Sequence, residues 1–290
     1  MSVGGYPDDL QRLVEDHLGR LTYSRRDATA GLEEAMRYSL LAGGKRIRPV
    51  LCLATGRAVG IDPPELLDIS SALELIHTYS LIHDDLPAMD DDELRRGRPT
   101  SHVAHGEDVA ILAGDALFAE AVRLACVQPG RPERVLAAVR EITAATGVDG
   151  MVGGQYIDVT GEERDPEALR RLHSLKTGRL IAACVGAALA IAGLSPERQA
   201  PYRRFATELG LLFQIVDDIL DVTGSEEELG KPSGSDARHG KVTYVSLHGV
   251  DRARELAAES HRAALAALAE AAGETDTLRR IADFIFTRTS

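Results

Sequence analysis

Apolar residues recur three and four positions apart along most of the chain, the period of a helix that buries one face. That spacing predicts helices over Gly31–Ala42, Pro64–His83, Gly114–Cys126, Glu133–Thr146, Pro166–Leu194, Pro201–Asp221 and Val250–Ala272. Proline stands where a first turn tolerates it, in Asp62-Pro63-Pro64, Asp165-Pro166 and Ser195-Pro196. No stretch alternates apolar and polar residues convincingly enough to predict a strand, and no repeat of fixed period is present. No Pro/Ser-rich linker divides the chain, so the pattern predicts one all-α domain over residues 1–290.

Two interruptions differ from the helices in chemistry. Leu86–Thr100 is charged and carries Pro87, Gly97 and Pro99 as breakers; Thr223–Lys241 mixes acidic residues, glycine and two lysines. Both are candidate active-site lids. The longest apolar run, Leu180–Leu194, falls short of the roughly 20 residues a membrane span needs and is expected to be a buried helix.

Composition narrows the partners. Acidic residues outnumber basic ones 45 to 33, for a formal charge of −12, which disfavours nucleic acid and anionic lipid. Cys52, Cys126 and Cys184 are few, far apart and odd in number, so neither a zinc site nor a disulfide framework is indicated. Residues 1–20 hold no apolar leader. A cytoplasmic protein is expected.

The acidic residues cluster twice. The helix ending at His83 runs into Asp84-Asp85-Leu86-Pro87-Ala88-Met89-Asp90-Asp91-Asp92-Glu93, six carboxylates in ten positions. Most such runs are solvated surface, but this one is attached to the apolar end of a helix. Its counterpart lies far along the chain, where Asp217, Asp218 and Asp221 interrupt the apolar Phe213–Asp221 helix. Asp217 and Asp221 are four apart and share a helix face, where like charges repel unless a cation intervenes. Oxygen-only donors with no nearby cysteine point to a hard ion such as magnesium bound with substrate phosphate. Asp84 and Asp90 would not share a helix face; Pro87 is expected to end the helix and let the chain bulge back.

Cations cluster as well, which in an acidic chain suggests anionic ligands. Gly43-Gly44-Lys45-Arg46-Ile47-Arg48-Pro49 puts three in a flexible turn before a helix, and Arg95-Arg96-Gly97-Arg98 follows the first acidic run. Lys176-Thr177, Lys231 and Lys241 complete the set. His77 lies seven residues before Asp84 and so roughly on its face.

The ordered stretches GGKRIRP, ALELIHTYSLIHDDLPAMDDDELRRGRPT, ILAGDAL, GGQYID, LKTGRL, FQIVDDILDVTG and GKPSGSDARHGKVTYVSL resemble the trans-isoprenyl diphosphate synthases, particularly the bacterial farnesyl and geranylgeranyl members. The resemblance covers nearly the whole chain, most clearly Gly43 to Tyr244. It implies a helical bundle around a deep central cavity and a prenyltransferase that joins isopentenyl diphosphate to allylic diphosphates. By the same resemblance Asp84, Asp85, Asp90, Asp217, Asp218 and Asp221 would hold three Mg²⁺, with Mn²⁺ as the alternative ion. Arg95, Lys176, Thr177, Gln214, Lys231 and Lys241 match contacts to the allylic diphosphate; Lys45, Arg48, His77 and Arg96 match the isopentenyl diphosphate pocket. Arg288 stands near the C-terminus, where the family carries a basic residue. A homodimer is the family's habit.

Product length is expected to depend on Tyr79, five residues before Asp84, with the small Ser80 beside it. A phenol there would stop growth early, which favours a C15 farnesyl product over C20 geranylgeranyl; simple packing of Tyr79 on a neighbouring helix is the competing reading. A terpene cyclase would not need the second cation cluster, and a phosphohydrolase using His77, His83 and Asp84 would leave the second acidic cluster unexplained. A non-catalytic partner subunit of a longer-chain synthase fits poorly with two intact acidic clusters.

Overall fold

The computed structural model describes residues 5–161, 165–224 and 241–288. Helices account for about three-quarters of the described residues: α1 Asp8–Arg20, α2 Ala30–Leu40, α3 Ile47–Ala58, α4 Leu67–Asp84, α5 Ser101–His105, α6 Glu107–Cys126, α7 Pro132–Thr146, α8 Met151–Thr160, α9 Pro166–His173, α10 Arg179–Ala192, α11 Pro196–Thr223, α12 Tyr244–His248, α13 Val250–Ala269 and α14 Asp276–Thr287. The all-α expectation holds. Among the described residues the strands are two short antiparallel pieces, β1 Leu94–Arg95 and β2 Arg98–Pro99, inside the predicted loop.

The centre is α10, buried on every side through Leu180, Ile181, Cys184, Val185, Ala188 and Leu189. It packs against α3, α7 and α11, while α4 lies along α6 and α11 along α13. A helix buried all round shows little amphipathicity, which is why α10 reads as a plain apolar run. The sequence expectation ran Pro166–Leu194 as one helix. Instead, a π-turn at Ser174–Gly178 separates α9 from α10. The stretch Pro166–Ala192 is 27 residues long and apolar enough to cross a bilayer by composition, longer than the expected run. Its second half is core, and the π-turn interrupts it.

Several boundaries move for identifiable reasons. A short 3₁₀ turn, Pro63–Leu66, is closed by Asp62 and Glu65 in a reciprocal cap, and α4 follows it. Helix α11 starts at Pro196 and carries Pro201 inside it, because one missing amide near the first turns costs a single bond. Helix α1 was not expected, yet Leu10, Val14 and Leu18 are spaced four apart and fully buried against α3 and α4. Each such burial contributes roughly 2 kcal/mol.

Candidate active site

Helix α4 delivers the first acidic cluster. It ends at Asp84, and the chain turns back on itself: Met89 N donates to Leu86 O at 2.8 Å, Asp90 N to Asp84 O at 2.9 Å and Asp91 N to Leu86 O at 3.1 Å. Asp91 adopts a left-handed φ of 52° to complete the turn. The bulge expected at Pro87 thus brings the Asp90 backbone onto that of Asp84. The carboxylates are compensated separately. Arg95 Nε donates to both oxygens of buried Asp85 at 2.8 Å, and Lys241 Nζ lies 3.0 Å from both oxygens of Asp90. Burial pushes the Asp84 carboxyl up to about 6; the Asp90 charge adds to this, and Lys176, Arg95 and Lys241 pull against it.

The π-turn presents Lys176 and Thr177. π-turns are rare and concentrate at functional positions. Helix α8 approaches this turn closely because Gly154 has no side chain: a Cβ there would meet Lys176 N at 2.3 Å. From the same helix Asp158 Oδ2 accepts from Lys176 Nζ at 2.6 Å and lies 3.9 Å from Lys241 Nζ. Thr177 Oγ1 donates to Gln214 Oε1 at 3.0 Å, and Gln214 Nε2 donates to Asp218 Oδ1 at 2.8 Å. A connected polar path therefore runs Asp90, Lys241, Asp158, Lys176, then through Thr177 and Gln214 to Asp218. It links two acidic segments more than 120 residues apart in sequence.

The second cluster is not the uniform face that the spacing predicts. Asp217 is half exposed and paired with Arg288 at 2.5 Å. Asp218 is buried and accepts from the Tyr244 backbone N at 2.7 Å as well as from Gln214. Asp221 is buried too. Burial of Asp218 is thus compensated by an amide and a backbone N–H.

The cation cluster forms against the hairpin. Arg96 and Gly97 both have positive φ, 54° and 70°, as a tight two-residue hairpin turn requires, and Arg96 Nη1 donates to the Gly43 carbonyl. Tyr6 OH donates to Lys45 O at 2.7 Å and Gln11 Nε2 to Gly44 O at 2.9 Å, fixing the glycine turn. Lys45 Nζ sits 5.6 Å from the Phe284 ring centroid, and Arg48 sits 5.8 Å from that of Phe213. Burial depresses the His77 imidazolium well below its ordinary range, and Arg48 and Arg96 add to the effect. His77, Arg48 and Arg96 therefore share one electrostatic neighbourhood. Arg46 also acts on His77, but from a fixed structural position. Its guanidinium is buried between Glu15 at 2.6 Å and Glu74 at 2.7 Å, so one of the three cations expected in a flexible turn is instead structural.

Tyr79 is buried edge-on against Phe118 of α6, ring centroids 5.3 Å apart, and against His83 at 5.8 Å. Ser80 Oγ donates to His77 O at 2.8 Å. Lys231 lies outside the described residues. Asp158 was missed by sequence reasoning. Its signal was available in GGQYID, where a carboxylate occupies a position of α8 that turns inward.

Among the described residues no three His, Cys, Asp or Glu side chains form a ready-made metal cage. The donor set nevertheless fits a hard cation: it is oxygen-only, and Asp84 is a carboxyl whose charge its surroundings under-compensate. A divalent ion would restore that charge.

A helical fold that gathers two acidic segments, the lysines Lys176 and Lys241, and the arginines Arg48 and Arg96 around His77 is of the isoprenoid synthase type. The chain belongs to the polyprenyl synthetase family, whose sequence profile matches residues 29–283, and it is a prenyltransferase. It is 48% identical over 241 residues to geranylgeranyl pyrophosphate synthase 3, chloroplastic, of Arabidopsis thaliana, covering 80% of this chain and 67% of that one. Among solved structures it is similar to an FPP/GFPP synthase from Zymomonas mobilis, at 37% identity and a TM-score of 0.83, covering 97% and 95% of the two chains. A geranyltransferase from Helicobacter pylori, complexed with magnesium and isoprenyl diphosphate, matches at 32% identity and a TM-score of 0.86 over 96% and 94%.

Proposed function

We propose that this prenyltransferase elongates allylic diphosphates with isopentenyl diphosphate and ends at geranylgeranyl diphosphate, C20. The observation that carries the chemistry is the polar path from Asp90 through Lys241, Asp158 and Lys176, and on by Thr177 and Gln214 to Asp218. The product assignment is supported by the 48% identity, reported above, to a geranylgeranyl pyrophosphate synthase. The C15 product favoured by the sequence is supported by the likeness to the FPP/GFPP synthase, whereas the packing of Tyr79 on Phe118 fits the competing, structural role for that ring.

In this reading Lys176, Lys241 and Arg95 bind the allylic diphosphate and stabilise the charge that grows on it as the allylic C–O bond breaks. Magnesium, when bound to Asp84, Asp85, Asp90, Asp217, Asp218 and Asp221, supplies Lewis-acid neutralisation of the same diphosphate. Lys45, Arg48, Arg96 and a neutral His77 orient isopentenyl diphosphate so that its double bond meets the allylic carbon. A new C–C bond forms, and diphosphate and one proton leave.

Supplying isopentenyl diphosphate, magnesium and each allylic primer in turn tests this through the chain lengths formed. C20 is expected; accumulation of C15 moves the assignment to the second reading, and failure to elongate any primer overturns both. Tyr79→Ala is expected to lengthen the product, and an unchanged profile assigns Tyr79 to packing alone. Pairing with a second copy belongs to the same proposal. It is supported by Ile111, Leu112 and Phe118 of α6, which stand exposed on the surface, and a monomeric mass in solution would remove it.

A further inference from the structure

The buried side of α8 carries Met151, Gly154, Gln155 and Asp158, spaced three, four and seven apart, while Val152, Tyr156 and Val159 face outward. Such an inward stripe is ordinarily apolar. Here half of it is polar. Asp158 is partnered by Lys176, but Gln155 is not: its Oε1 and Nε2 are both shut away from solvent, and neither meets a hydrogen-bond partner. A carboxamide left dry at both ends costs stability, and an apolar side chain of the same length would avoid that cost. The position of Gln155 suggests what it waits for. The preceding residue, Gly154, lies against the Lys176 backbone, and Asp158, one turn on, reaches Lys176 at 2.6 Å and Lys241 at 3.9 Å. A carboxamide offers two donors to anionic oxygens, and these lysines are the cations that the proposed reaction assigns to the allylic diphosphate.

We propose that Gln155 is a further substrate-contacting residue, whose Nε2 donates to an oxygen of the allylic diphosphate, and that Asp158 is the positioning residue that aims Lys176. The inference rests on the function proposed above. An apolar variant of matched length separates this role from a structural one. Gln155→Met should melt at the same temperature as the wild type or higher, since a dry polar group has been removed. Its affinity for inorganic diphosphate in the presence of magnesium, read by calorimetry, should fall about tenfold. KM for geranyl diphosphate should rise by the same factor while KM for isopentenyl diphosphate stays unchanged. Diphosphate affinity and allylic KM equal to the wild type would overturn the inference and leave the carboxamide a holder of internal water. If Gln155→Met does not fold, Gln155→Glu reads the same contact. Its charge should weaken magnesium–diphosphate binding by tenfold or more, and unchanged binding overturns the inference. Wild-type protein that neither binds magnesium–diphosphate nor elongates a primer would overturn the underlying function instead.

Discussion

Asp84 shows how one side chain couples fold to chemistry. Its folded pKa of about 6 lies above the ordinary 3.8, chiefly through burial. The sign follows: a carboxyl that binds its proton more tightly when folded adds stability at low pH and loses that contribution as pH rises through 6. The metal-free protein should therefore gain stability from Asp84 as pH falls from 7 toward 4, and Asp84→Asn should flatten that part of a denaturation–pH profile. Apparent magnesium affinity should move the opposite way, weakening below pH 6 as the ligand protonates. At Gly154 the argument is steric. A Cβ 2.3 Å from Lys176 N has no room, so Gly154→Ala should cost about 1–3 kcal/mol in chemical denaturation and raise KM for the allylic diphosphate.

Among elements, the turn before α3 and the β1–β2 hairpin act as one unit. Arg46 is clamped by Glu74 of α4 with both side chains almost fully buried. Removing Glu74 leaves Arg46 to Glu15 and the Leu40 carbonyl, so Glu74→Ala should cost about 1.5–3 kcal/mol in denaturant unfolding, the worth of one charged hydrogen bond. The hairpin depends on Gly97 at φ 70°. Gly97→Val should strain that turn and release Arg96 from Gly43, raising KM for isopentenyl diphosphate more than for the allylic substrate. The π-turn was not foreseen because Ser174-Leu175-Lys176-Thr177-Gly178 continues a helical pattern. Its extra residue is stabilised by packing against α8 and α11, which local periodicity does not encode.

For the whole molecule, the end of α14 reaches the site. Arg288 of the last described turn pairs with Asp217 and lies 4.3 Å from the Phe213 ring centroid. Because an arginine and a metal would compete for one carboxylate, Arg288→Ala should shift the magnesium dependence of turnover, measured at fixed diphosphate concentration. Chelation of magnesium should abolish turnover while leaving the far-ultraviolet helical signal intact, since the core residues of α10 are apolar and do not depend on the ion.

The helical class, most helix spans, the two acidic clusters and most of the cations were legible in the sequence, because periodicity and charge are local properties of the chain. Helix α1 was not among the expected elements, although Leu10, Val14 and Leu18 carry its four-residue spacing. What the tertiary structure alone decided is pairing: that Arg46 is structural while Arg48 and Arg96 share His77's surroundings, that Asp158 bridges two lysines, and that Asp218 is satisfied by Tyr244 N. Those outcomes depend on which side chains meet across helices distant in sequence. Burial, which sets both the cost of a charge and the need for a partner, exists only once the helices have packed.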